Sequence, residues 1–120
     1  MSEPSPPADL AARAAAVLRA NDLGGWTKAA PRLYPHQWSW DSAFIAVGWA
    51  RLDPVRALRE LETILGAQWA TGMVPHIVYN PDAPPGGYFP DAERWDCARL
   101  NPAAPRAVAT SGICQPPVHA

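Results

Sequence analysis

Hydrophobic and polar positions repeat with a helical period in three successive stretches of the first half of the chain. Over residues 8–20, Leu10, Ala14, Val17 and Leu18 fall on one face while Arg13 and Arg19 lie off it, and Asn21, Asp22, Gly24 and Gly25 stop the pattern. A second helix is predicted to begin near Trp40 or Asp41 and run to Arg51, with Ser39 or Asp41 as its cap. Its large apolar residues Phe44, Ile45, Val47 and Trp49 point in several directions, with Ala43, Ala46 and Gly48 between them. A helix apolar all round is a buried one. That is unexpected so early in a short chain and natural for an inner helix of a larger protein. In the third stretch Asp53 is a natural N-cap and Pro54 suits the first helical position. Leu58, Leu61, Leu65 and Trp69 mark its buried stripe; Arg56, Arg59, Glu60 and Glu62 sit mostly away from it, and Gly72 closes it, with a short loop from Ala70 as an option. A buried helix followed by an amphipathic outer one suggests stacked helical hairpins.

The remaining stretches lack this period. Residues 26–37, with Pro31 and Pro35, predict an irregular loop, and residues 73–79 a short extended run. Residues 80–90 hold four prolines and two adjacent glycines, Gly86 and Gly87, and must be loop. Residues 103–109 read as a helical turn or loop. Residues 110–120 read as a cap leading to a helix start at Pro116–Pro117 that only three residues follow, the pattern of a truncated chain. Residues 1–7 read as a disordered tail. The fold class expected is all-α, helical hairpins joined by long Pro- and Gly-rich loops.

Composition narrows the function classes. The chain has 10 basic and 11 acidic residues and no basic stripe, which argues against nucleic acid or an anionic membrane as partner. No apolar run reaches membrane-spanning length, and the start of the chain has no basic region followed by an apolar one. Cys97 and Cys114 are too few for a disulfide framework and read as ordinary thiols in a reducing compartment, so a cytoplasmic location is expected. Fifteen prolines would suggest disorder, but six tryptophans oppose it and suggest shaped loops carrying large ring surfaces.

The densest cluster of chemistry is Leu33-Tyr34-Pro35-His36-Gln37-Trp38-Ser39-Trp40-Asp41-Ser42. It places aromatic rings, an amide and a carboxylate on a loop that enters a buried helix. A sugar needs this mixture, with flat rings for its C–H faces and oriented donors and acceptors for its hydroxyls. The residues equally allow Trp38 and Trp40 as core and Asp41 as a helix cap. In Gly86-Gly87-Tyr88-Phe89-Pro90 the glycines allow a sharp turn that presents Tyr88 to a cleft, or an aromatic that plugs its own loop. In Thr110-Ser111-Gly112-Ile113-Cys114-Gln115, Gln115 is able to donate and accept toward a hydroxyl pair, or simply to cap. His36, His76 and His119 lack metal-ligand spacing, and no nucleophile elbow or phosphate-binding glycine loop occurs. Asp91, Glu93 and Asp96 read as a solvated acidic loop. No cofactor or metal is expected.

Three blocks taken together, LYPHQWSWDSAF (Leu33 to Phe44), GMVPH (Gly72 to His76) and TSGICQPPV (Thr110 to Val118), resemble the bacterial branch of glycoside hydrolase family 63, with matching order and spacing; NDLGGW (Asn21 to Trp26) resembles the segment before them. The resemblance implies that residues 8–120 are an incomplete N-terminal portion of an (α/α)6 barrel catalytic domain. It implies an inverting hydrolase of a small α-glycoside such as glucosylglycerate or mannosylglycerate, with Tyr34, Trp38, Trp40, Asp41, Tyr88 and Gln115 lining the sugar subsite. The family's general acid and base lie beyond the third block, so the resemblance also implies that this chain by itself is inactive. A non-catalytic carbohydrate-binding or interaction module and a degenerate gene fragment are the rival readings.

Overall fold

The computed structural model describes residues 7–119. Helices and two short strands follow one another in the order α1 (Pro7–Asn21), β1 (Gln37–Trp38), α2 (Ser39–Ala50), α3 (Pro54–Leu65), β2 (Ile77–Val78), α4 (Ala92–Trp95) and α5 (Cys97–Leu100), the last two being single turns. The tail expected over residues 1–7 lies outside the described residues, except that Pro7 opens α1.

The pair α2–α3 is the principal helix packing, and α1 lies across α2. The crossing is close at Gly48, where an added Cβ would meet Leu18 Cδ1 at 3.0 Å. Asp53 caps α3 as expected, accepting the Arg56 N–H at 3.1 Å with Pro54 in the first turn. The caps expected for α2 do not form. Its N-cap is Trp38, which makes no side-chain capping bond, and the helix begins at Ser39.

The largest departure from the sequence pattern concerns which side of each helix faces inward. The buried residues of α3 are Arg56, Ala57, Glu60 and Ile64, while Leu58 and Leu65 are exposed. α3 also stops at Leu65, short of Trp69 and Gly72. The Trp69 ring is instead held among Cys97 and Ala104, and its indole N–H donates to Thr110 Oγ1 at 3.0 Å. A buried ring with a satisfied donor outweighs one more helical turn. In α2, Ala43, Ala46 and Trp49 are buried but Phe44 and Val47 are exposed, so this helix is not enclosed all round. In α1 the buried residues are Ala15 and, at its end, Asn21, while Leu10 and Val17 face outward.

The second half is a layer of short backbone pairings. β1 and β2 are antiparallel, Gln37 opposite Val78 and Trp38 opposite Ile77. A bridge from Val78 to Thr110, with His76 N–H to Ile113 O and Ser111 N–H to Ile77 O, sets residues 109–113 along the other side of β2. β2 falls within the extended run expected for residues 73–79. The acidic loop is more ordered than expected: Asp91 caps α4 through Arg94 N–H, and Asp96 turns the chain between α4 and α5 with φ 47°. No helix forms at Pro116–Pro117 among the described residues. No described helix is long and apolar enough to cross a membrane.

Candidate functional site

β1 leads Trp38 directly into the first turn of α2, so the buried Trp38 and the more exposed Trp40 and Asp41 stand at one corner. Trp38 is buried and meets Tyr34 edge to face at 5.3 Å between centroids, and Tyr88 likewise at 4.9 Å. Such pairs hold a ring in one orientation. Trp40 is partly exposed and stands edge to face with Phe44 at 6.2 Å. From far along the chain, Gln115 Oε1 accepts the Trp40 N–H at 2.9 Å. The amide thereby performs the capping that Ser39 and Asp41 do not, and keeps its own N–H donors free for other use.

These residues border an open cavity of about 380 Å3 lined by Ala29, Ala30, Tyr34, Trp38, Trp40, Asp41 and Gln115. That size lies in the range of small-molecule sites, about 300–1,000 Å3. Five of the six residues singled out in the sequence meet there. The sixth, Tyr88, does not line it. Tyr88 packs against the Trp38 ring and lines a second cavity of about 420 Å3 under residues 80–88, with His36, Tyr79 and Asn80. Gly86 at φ 74° makes the turn that sets Tyr88 back against the protein.

Asp41 is half-buried, and that burial raises its carboxyl above the usual range, opposed by its own backbone N–H and by the Trp40 side chain. It is the one carboxylate lining the cavity among the described residues. Beside it the site offers the Gln115 amide, the Tyr34 hydroxyl and the indoles of Trp38 and Trp40. Acceptors, donors and flat faces thus converge without a cation or a second carboxylate. Among the described residues no three His, Cys, Asp or Glu side chains stand close enough to hold a metal ion. His36 accepts the Asn80 N–H on Nδ1 at 3.1 Å, so its proton sits on Nε2; burial lowers its pKa below the ordinary value. Burial does the same to His76, whose Nδ1 lies 2.6 Å from Ser111 Oγ.

Behind the cavity lies a group the sequence pattern missed. Glu60 Oε1 accepts from Thr27 N–H (3.2 Å), Ser42 Oγ (2.7 Å) and Gln37 Nε2 (3.4 Å), and Oε2 from Thr27 Oγ1 (2.7 Å) and Arg56 Nη2 (2.9 Å). Arg56 also reaches Asp22 at 2.8 Å and lies 5.1 Å from the Trp49 ring centroid. The signal that was available is the Arg56–Glu60 spacing of four, a helical neighbour pair on the side opposite the leucines.

A family model described as the mannosylglycerate hydrolase MGH1-like glycoside hydrolase domain matches residues 34–120, beginning at Tyr34 and taking in Gln115. The chain belongs to this family. The MGH1-like chain is 59% identical over 114 residues to the glucosylglycerate hydrolase of Mycolicibacterium hassiacum, covering 95% of this chain and 25% of that protein. It is 56% identical over 112 residues to the mannosylglycerate hydrolase of Rubrobacter radiotolerans, covering 93% of this chain and again 25% of the relative. Among solved structures, a family 63 mannosylglycerate hydrolase of Thermus thermophilus in complex with Tris and D-glycerate matches with a TM-score of 0.76 at 42% identity, over 90% of this chain and 24% of that one. The chain therefore spans about a quarter of the length of the relatives it matches.

Proposed function

We propose that the cavity at Trp38, Trp40, Asp41 and Gln115 holds the hexose ring of a small α-glycoside of the glucosylglycerate or mannosylglycerate kind. The observation that carries this is the convergence itself. Residues 75 positions apart in sequence, Trp40 and Gln115, are joined by a hydrogen bond and border one cavity of sugar-sized volume. The relatives' hydrolysis of glucosylglycerate and mannosylglycerate, and the glycerate bound in the Thermus structure, support the same ligand class.

On this reading Asp41 accepts from two neighbouring hydroxyls and does not transfer a proton. Gln115 donates to a ring oxygen, the indoles cover the C–H face, and Tyr34 closes the side. An inverting hydrolase sets an acid and a base roughly 6.5–9.5 Å apart across the scissile bond. Asp41 is the single carboxylate on this cavity among the described residues, so the reading assigns these residues binding and positioning, not acid–base work. The same proposal places residues 8–120 within an (α/α)6 barrel, with α2 as an inner and α3 as an outer helix. The free thiols Cys97 and Cys114 agree with the cytoplasmic setting expected.

The experiment is NMR titration of the chain with glucosylglycerate, mannosylglycerate and, as control, an equal concentration of glycerol. Saturable shifts of the Trp38, Trp40 and Gln115 side-chain N–H signals with either glycoside and not glycerol are expected. Shifts confined to the second cavity, at Asn80 and Tyr88, would reject the assignment. Measured glycerate release separates binding from catalysis, and none above a blank is expected from this chain.

A further inference from the structure

The pocket is assembled from three stretches of chain: the loop after α1, β1, and the first turn of α2 that follows β1 directly. Its floor at Ala29 and Ala30 belongs to the loop after α1, Trp38 to a strand of two residues, and Trp40 and Asp41 to the first turn of α2. Two-residue strands and open loops keep no fixed position alone. One side chain of α3 bonds to all three, alongside the direct Gln37–Ser42 and Trp49–Thr27 bonds. Glu60 is fully buried and does not line the pocket. Its carboxylate takes Thr27 from the loop, Gln37 from the strand beside Trp38, and Ser42 from α2 beside Asp41. Gln37 Nε2 shares its two hydrogens among Thr63 Oγ1 (2.9 Å), Ser42 Oγ (3.0 Å), the Glu60 carbonyl (3.2 Å) and Glu60 Oε1 (3.4 Å), which closes the knot on itself.

We infer that Glu60 is the positioning residue of this pocket, fixing from behind its wall the three segments that carry the lining. The claim rests on the ring-binding reading only for what the pocket holds. A carboxylate is suited to the task because it is an acceptor alone, able to receive several donors at once. A glutamine of the same shape must aim N–H groups at donors already facing it, Gln37 Nε2 and Arg56 Nη2. Stability does not explain the choice, since buried ion pairs exchanged for apolar groups of like volume are often no less stable. Side chains that orient binding residues without touching the ligand set how well a site fits.

The test compares the full 120-residue chain with its Glu60→Gln and Ile64→Val variants. Ile64 is fully buried on the same helix and lines no part of the pocket, so it reports what lost packing alone does. Amide signals of Ala29, Trp38, Trp40 and Asp41 should move in Glu60→Gln and stay in Ile64→Val. Affinity for glucosylglycerate or mannosylglycerate should fall about tenfold in Glu60→Gln, the scale of one charge-assisted hydrogen bond, and stay within about twofold in Ile64→Val. A folded Glu60→Gln with unmoved pocket signals overturns the inference. If wild-type chain binds neither glycoside, the ring-binding reading fails, and the pocket signals alone decide the role of Glu60. If Glu60→Gln does not fold, Ser42→Ala replaces it, because it removes one of the three ties; unmoved signals at Trp38 and Asp41 there overturn the inference equally.

Discussion

The two faces of α3 reverse the usual arrangement. Inward, Arg56 and Glu60 are buried among Asp22, Thr27, Gln37, Ser42 and Trp49; outward, Leu58 is 60% exposed, and the neighbouring Val47 and Phe44 of α2 are 67% and 61% exposed. Leu58 and Leu61 with Ala43, Ala46 and Val47 border an apolar groove between the two helices. The inward face carries hydrogen bonds to every side-chain polar atom of Arg56 and Glu60 but Arg56 Nη1, which is buried without a partner, and the outward face carries exposed apolar area. Removing one partner should therefore cost most on the polar side, and self-association should arise from the apolar side.

Replacing Arg56 with Ala should produce the largest effect, a loss of about 3–5 kcal/mol in unfolding free energy measured by urea titration, because it leaves the buried Glu60 charge without its cation. A loss below about 1 kcal/mol would mean that the buried knot is not what holds α3 to the loop after α1. The pH dependence comes next. Burial lowers the pKa of both His36 and His76, so each stays neutral in the fold while the unfolded chain takes up a proton near the ordinary 6.5. Their contribution is present above that value and is lost as pH falls through it toward the depressed folded values. Melting temperature should drop across that window, and drop less in a His36→Gln, His76→Gln double variant. Mutating the apolar face should change stability least. Val47→Gln with Leu58→Gln is expected within about 0.5 kcal/mol of wild type, with lower light scattering on concentration. A sharp loss of stability instead would show that these residues are packed in solution.

The sequence disclosed the pocket better than the packing. That Tyr34, Trp38, Trp40, Asp41 and Gln115 border one cavity accords with the set implied by the three blocks, whereas residue type alone left Trp38 and Trp40 as core and Asp41 as a cap equally open. The Asp53–Pro54 start of α3 was legible because capping is local. The facing of α3 was not. A helical period reports that two faces exist and leaves open which one meets the chain, and charged residues inside are found only when their partners, Asp22, Thr27, Gln37 and Ser42, are seen to converge. The placing of Trp69 outside α3, and of Tyr88 beside a second cavity, was not legible for a related reason. Each is held by a residue distant in sequence, Thr110 in one case and Trp38 in the other.

Asp41 tests the central claim most directly, because it opposes stability to binding in one residue. Burial raises its carboxyl pKa, so the ionised form is disfavoured in the fold; the penalty is absent below the ordinary 3.8, appears as pH rises through the folded value, and is complete above it. Functional groups are often kept at a cost to stability. The measurement is calorimetric titration of wild type and Asp41→Asn at pH 7 with glucosylglycerate and mannosylglycerate, paired with their melting temperatures. Asp41→Asn should melt higher than wild type and bind about tenfold or more weakly, about 1.4 kcal/mol or more. Equal affinity in a folded Asp41→Asn chain would contradict that claim and leave the cavity at Trp38 and Gln115 without a sugar-binding role.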